Sequence, residues 1–109
     1  MEDYAVPIAI QSELGDRANA FNRKVLSKAR YRYCPDARGK FIYLGRLWPD
    51  GSSQRLGRLT YEGDLENMEF VIFKFRSGKY DPKVRSFPGY QHLDGTIEGA
   101  LKALTEAFP

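Results

Sequence analysis

The sequence predicts a single α+β domain in which helices pack on one face of a small antiparallel sheet. Two segments, one before residue 32 and one after residue 94, show the apolar spacing of three and four residues that is typical of amphipathic helices. The segments between them alternate in polarity or are rich in β-branched and aromatic residues, which favours strands joined by turns. A chain of 109 residues can bury one hydrophobic core without disulfides. The expected order is therefore helix, three strands, helix.

The first fifteen residues give a weak signal. Their apolar run is broken at Pro7 and is followed by Gly15. This pattern predicts a flexible arm, or a fourth strand at the sheet edge, for residues 1–15.

A basic amphipathic helix is predicted over about 17–31. Asp16 is a suitable N-cap and Pro35 a stop. The apolar positions recur on one stripe, formed by Ala18, Phe21, Val25 and Ala29.

Three strands are predicted after the turn-like residues 34–40. The segment 49–53 contains Pro and Gly and favours a chain reversal after the first strand. The third strand is apolar on both faces at its centre, which indicates a position inside the sheet. Residues 77–92, with two Gly and two Pro, are expected to form a long loop. The predicted strands are Phe41–Trp48, Gln54–Tyr61 and Met68–Arg76.

A second helix is predicted to begin at Gly95, with Asp94 as its cap. One apolar stripe comprises Ile97, Leu101, Leu104 and Phe108. Beside this stripe runs a track of small residues, Gly95, Gly99 and Ala103. Gly within a helix costs about 1 kcal/mol relative to Ala, so we expect this track to pack closely against the sheet.

Charge and cysteine content limit the classes of protein that fit. The net charge is +3 and the isoelectric point is near 9.1, so the chain is only mildly basic. Cys34 is the single cysteine, which excludes an intramolecular disulfide and indicates a reducing compartment. The acidic first residues differ from a signal peptide, and no apolar run is long enough to cross a bilayer. The sequence therefore predicts a cytoplasmic protein without a membrane partner.

Catalytic signals are weak. His92 is the only histidine, and Asp94 lies two residues away, so a small enzyme using His92 is the third hypothesis for function. The sequence carries no phosphate loop or dinucleotide fingerprint, and it lacks the multiple His or Cys ligands of a common metal site. We therefore predict no cofactor, no metal and no assigned catalytic residue.

Rings and cations are interleaved in two segments, residues 30–33 and residues 73–85. Nucleobases stack on exposed aromatic rings, while Lys and Arg pair with phosphates. The leading hypothesis is therefore a non-enzymatic module that binds single-stranded DNA or RNA. The residues expected to stack are Tyr31, Tyr33, Phe75 and Tyr80. Those expected to contact phosphates are Arg30, Arg32, Lys74, Arg76 and Lys79.

Two alternatives use the same residues differently. The rings can seal the core with solvated cations around them, and four acids, Glu62, Asp64, Glu66 and Glu69, would repel phosphates if they shared the surface. A protein-interaction module would instead dock a partner on exposed rings that include Trp48. Homodimerisation through an open sheet edge or a helix face is a further expectation.

The C-terminal half, from about Arg58 to Pro109, contains YDP, FPG and DGTIEGA in this order. This order of motifs resembles that of a family of small uncharacterised bacterial proteins. The resemblance implies a shared fold and supplies no activity. The predicted topology, in which antiparallel strands end in a basic-aromatic strand and a C-terminal helix, also looks like the single-stranded-DNA-binding transcriptional coactivators. The leading helix and long loop depart from that pattern, and no residue is transferred from it.

Overall fold

The fold was determined as a computed structural model that describes residues 5–75, 77–82 and 86–109. Two α-helices flank five antiparallel strands, and a short 3-10 helix, Tyr90–His92, precedes the second α-helix. The helices are α1, Ile8–Val25, and α2, Ile97–Ala107. The strands are β1, Arg32–Arg38; β2, Phe41–Leu47; β3, Ser53–Thr60; β4, Glu69–Lys74; and β5, Lys79–Tyr80.

The strands form one sheet in the order β1-β2-β3-β4-β5, and each is antiparallel to the next. The α+β class and the two flanking helices are confirmed. The three predicted strands correspond to β2, β3 and β4. The sheet has two strands more than the three predicted, because residues 32–38 and 79–80 also pair.

Helix α1 starts nine residues before the predicted helix and ends at Val25 rather than residue 31. Residues 8–15 are therefore helical rather than an arm or edge strand. Ile10, Leu14 and Ala18 continue the same apolar stripe in the N-terminal direction, and the last two are fully buried. Burial of this stripe outweighs the helix penalty of Gly15.

Strand β1 contains Pro35, which the sequence suggested as a turn. Asn22 of α1 explains why the strand forms: its side chain accepts from the Tyr33 backbone N–H at 2.9 Å and donates to the Tyr33 carbonyl at 3.0 Å. Because these groups point away from β2, Pro35, two residues on, also directs its missing N–H away from the ladder. Pro35 therefore removes no sheet hydrogen bond, and Asn22 of α1 satisfies both outward backbone groups of Tyr33 on this edge.

The core lies between the helices and one face of the sheet. Its fully buried side chains come from both helices and from β1, β2 and β3. Each contributes about 1.5–3 kcal/mol by leaving water. Among the helices of the described residues, none combines the length and apolar character needed to cross a membrane. The largest fully buried side chains are those of Leu14, Tyr33, Ile42, Leu44, Leu56, Leu59, Ile97, Leu101 and Leu104.

The predicted small-residue track contacts loops rather than the sheet: Gly95 lies against Glu66 and Asn67 of the β3–β4 turn, and the other two residues lie against the segment that precedes α2. A Cβ on Gly99 would lie 2.6 Å from the His92 carbonyl oxygen. A Cβ on Gly89 would lie 2.4 Å from the carbonyl oxygen of Ala103, one turn further along the helix. Small residues therefore let the 3-10 segment lie directly against α2.

Thr96, rather than Asp94, is the N-cap of α2. Its hydroxyl oxygen accepts from the Gly99 N–H at 3.1 Å. The Asp94 carboxylate accepts from the Thr96 hydroxyl at 2.6 Å and from the Thr96 N–H at 3.0 Å, which lowers the pKa of Asp94. Asp94 thus orients the cap one step before the helix begins.

Arg17 connects three parts of the chain. Its guanidinium donates to Glu98 of α2 through two nitrogens, at 2.7 and 2.5 Å, and to Glu66 of the β3–β4 turn at 3.2 Å. The hydrogen bonds from Arg17 lower the pKa of Glu98. A two-nitrogen Arg–carboxylate pair fixes geometry as well as charge, so Arg17 clamps α1 to α2.

Replacing Arg17 by Met is expected to lower the free energy of unfolding at pH 7 and to flatten its acid dependence. Because Arg17 lowers the folded-state pKa of Glu98, the stabilisation is present above the unfolded value of about 4.3 and is lost as pH falls through the folded value. Urea unfolding at a series of pH values measures this. Arg38→Met, which removes a pair with Asp36 on the surface, is the control and should change little. If Arg17→Met lowered the free energy of unfolding by as much at pH 3 as at pH 7, the attribution of this stabilisation to the Arg17–Glu98 pair would be wrong.

Candidate nucleic-acid interface

The two basic-aromatic segments meet at one end of the sheet. Arg32, at the start of β1, pairs in register with Leu47, at the end of β2, which in turn pairs with Ser53. Since β4 is antiparallel to β3, the end of β4 and the start of β5 lie on this side too. We call this region the basic end, defined by Arg30, Tyr31, Arg32, Lys74, Phe75 and Lys79.

Arg46 links the two halves of the basic end. Its guanidinium lies 5.1 Å from the ring centroid of Tyr31 and 5.6 Å from that of Trp48, and the two rings are 5.2 Å apart. One guanidinium nitrogen donates to the Phe108 carbonyl at 3.0 Å. The Phe108 ring contacts Phe75 edge-on at 5.5 Å. Residues separated by more than forty positions thus form one continuous group of rings.

Exposure differs among the residues predicted to bind nucleic acid. Arg30, Arg32 and Lys79 are exposed, and the Phe75 side chain is 51% exposed. Tyr31 and Tyr80 are half-buried, so parts of their rings reach solvent. Lys74 is exposed and lies 4.0 Å from the Asp81 carboxylate. Arg76 lies outside the described residues.

Tyr33 is placed in the core rather than on the surface. It is 1% exposed, and its hydroxyl lies 3.0 Å from the Thr105 hydroxyl of α2. Burial raises the pKa of the Tyr33 hydroxyl above its ordinary value. The Tyr33 ring therefore has no face available to a base, although its neighbour Tyr31 does.

A second group of rings and arginines lies on the sheet face opposite the helices. Arg55 lies 4.6 Å from the Tyr43 ring centroid, and Arg58 lies 4.3 Å from that of Phe41. The ring centroid of Tyr80 lies 5.6 Å from that of Tyr43 and 5.0 Å from that of Phe73. We call this surface the open face; its residues are Phe41, Tyr43, Arg55, Arg58, Phe73 and Tyr80.

The open face could not be derived from strand alternation. In a regular strand Arg55 and Arg58, three positions apart, point to opposite faces. A bulge between Leu44 and Gly45 shifts the register, so Arg58 pairs with Tyr43 while Arg55 pairs with Gly45. Both arginines therefore reach the same face. The spacing of the two arginines in the sequence does not indicate that they share a face.

The four acids that would repel phosphates lie at the other end of the sheet. Glu62, Asp64 and Glu66 are in the β3–β4 turn, and Glu69 pairs with Thr60. Lys74, at the basic end, is five residues from Glu69 along β4, a separation of about 17 Å at the usual strand rise. That distance exceeds the Debye length of about 8 Å at physiological salt, so these acids oppose binding at the basic end only weakly.

His92 and Cys34 lie in different elements of the fold, the 3-10 helix and β1. The His92 Nε2 lies 3.1 Å from a Glu106 carboxylate oxygen of α2, and Asp94 is bonded to Thr96 instead. Cys34 lies in β1, opposite Gly45, rather than near a helix end. The His92–Asp94 pair suggested by the sequence is therefore not formed.

Comparisons with protein-family models, with curated proteins and with solved structures gave no match for this chain. The resemblance of the C-terminal half to the small bacterial family stays a prediction, as does the topological likeness to the coactivators.

Proposed function

We propose that the protein binds single-stranded nucleic acid at the basic end of its sheet. The observation that carries this proposal is the meeting of two segments, distant in sequence, that each combine solvent-accessible rings with cations. Tyr31 and Phe75 supply ring surface, and Arg46 joins them through Trp48 and Phe108. Stacking on such rings favours unpaired bases by about 1–3 kcal/mol each.

The charges of the basic end favour a polyanion. Arg30, Arg32 and Lys79 form no ion pair with any residue that the structure describes. Lys74 and Lys79 are direct cross-strand partners, an arrangement of like charges that costs free energy. A bound phosphate would remove this repulsion, which an uncharged partner could not do.

An open pocket of about 480 Å³ extends the basic end beside Tyr31 and Trp48. Arg30 and Arg32 line it together with Pro49. Its volume lies in the range of about 300–1,000 Å³ that small-molecule sites occupy. The pocket is therefore large enough for a nucleotide unit whose base lies on the rings and whose phosphate meets the arginines.

The proposal is tested by fluorescence anisotropy with a labelled single-stranded oligonucleotide over a salt series. We expect tighter binding of the single strand than of the matching duplex, because a duplex hides its base faces. We also expect the logarithm of the association constant to fall linearly with the logarithm of salt concentration, by about 0.7 per phosphate contact. Absence of binding at about 50 mM salt would reject the proposal and leave a protein partner as the better explanation of the exposed rings.

A further inference from the structure

The open face contains a hollow above Gly45, next to the basic end. Gly45 lies in the centre of three paired strands, with Cys34 of β1 on one side and Arg55 of β3 on the other. Each of these neighbours has a side chain, whereas Gly45 has none. The resulting hollow has a volume of about 210 Å³ and is also lined by Asp36, Tyr43 and Ser53.

Backbone packing requires glycine at this position. A Cβ on Gly45 would lie 2.7 Å from the carbonyl oxygen of Gln54, at the bulge between β2 and β3. Because the obstructing atom belongs to the backbone, a larger residue cannot be accommodated by rotating a side chain. The hollow is thus a consequence of the bulge.

We propose that this hollow receives one unstacked nucleobase of a strand bound at the basic end, an inference that rests on the proposed function. The volume is below the usual range for a complete ligand pocket and suits a single planar ring system. The Tyr43 ring with the Arg55 guanidinium above it forms one wall, a pairing that also attracts the π-face of a base. The peptide backbone at Gly45 forms a flat floor.

Polar groups at the rim match the edge of a base. Asp36 accepts from Arg38 through Oδ2, at 3.0 Å, and Oδ1 forms no hydrogen bond with a described residue. That oxygen can accept from a ring N–H or an exocyclic amino group. Arg32, Arg38 and Arg58 lie on the same face of the neighbouring strands, so the surface near the hollow favours an anionic strand over a neutral peptide.

Cys34 provides a direct reporter, because it lines the hollow and is the only cysteine. The experiment measures its rate of modification by N-ethylmaleimide, by intact mass, with a mixed-sequence single-stranded oligonucleotide or with an abasic strand of equal length and charge. Both strands are used at concentrations at which anisotropy shows saturation. We expect the base-containing strand to slow modification at least tenfold and the abasic strand to leave the rate unchanged.

A Ser53→Met variant fills the hollow from β3 without altering charge. Its affinity for the base-containing strand should fall by roughly 5- to 150-fold, the range expected for one lost base contact, with an unchanged salt slope and an unchanged affinity for the abasic strand. If Cys34 were modified as fast in the complex with the base-containing strand as in the free protein, base binding in the hollow would be ruled out, but the proposed function would not. Failure of both strands to bind would overturn the proposed function and the hollow together.

Discussion

Replacing Arg30, Arg32 and Lys79 by Ala together is expected to weaken binding of a single-stranded oligonucleotide by roughly 100-fold at 0.1 M salt. Each side chain is exposed and unpaired among the described residues, so each is free to contact one phosphate. Loss of three contacts should lower the magnitude of the salt slope by about 2, at about 0.7 per contact for single strands. The measurement is anisotropy from about 50 to 300 mM salt for the variant and the unaltered protein.

A second triple variant, Arg23→Ala, Lys24→Ala and Lys102→Ala, changes the net charge by the same amount. These exposed cations lie on α1 and α2, on the helical side of the molecule. Their removal should leave the slope nearly unchanged and reduce affinity only slightly, through the weaker overall field. Equal losses in the two triple variants would show that binding follows net charge rather than the basic end.

Two helix glycines are expected to respond in opposite directions to replacement by Ala. Gly15 in α1 has open space around its Cα, so Gly15→Ala should raise the free energy of unfolding by up to about 1 kcal/mol. Gly99 in α2 has no open space around its Cα, because an added Cβ would lie 2.2 Å from the Asp94 carboxylate and 2.6 Å from the His92 carbonyl. Overpacking of this kind costs about 1–3 kcal/mol, which exceeds the gain in helix propensity.

Thermal unfolding separates the two outcomes, because about 1 kcal/mol shifts Tm by roughly 4–8 °C for a domain of this size. The Gly15→Ala variant serves as the matched control, since both substitutions add one methyl group to a helix. If Gly99→Ala also raised Tm, the close contact between α2 and the 3-10 segment would be refuted. Oligonucleotide binding should be unaffected in both variants, because neither residue lies at the basic end.

The central strands and the second helix were predictable because their signals are local. β2, β3 and β4 are bounded by turns with Pro, Gly or Asp, and the apolar stripe from Ile97 to Leu104 has a single consistent period. Such features depend on neighbours within a few positions. Their boundaries differ from the predicted ones by one or two residues.

The features that could not be predicted from the sequence depend on contacts between residues that are distant along the chain. Pro35 suggested a turn, but the carboxamide of Asn22 satisfies the strand edge on which it lies. Regular alternation along β3 would place Arg55 and Arg58 on opposite faces, because the bulge that brings them to one face is specified by pairing with β2. At the interface, Tyr31 and Phe75 were identified by composition, whereas Arg46 and Phe108 join them only through tertiary packing.

The edge strand β1 has a consequence for the proposed binding, in which several copies of the protein would share one long nucleic-acid strand. Many proteins that bind single strands bind side by side and cooperatively. A free sheet edge would let such copies fuse into a continuous filament, with the attendant hazard of aggregation. Because Asn22 occupies both backbone groups of Tyr33 and Pro35 has no N–H, pairing of two copies through β1 is disfavoured, so copies side by side on one strand should remain separate.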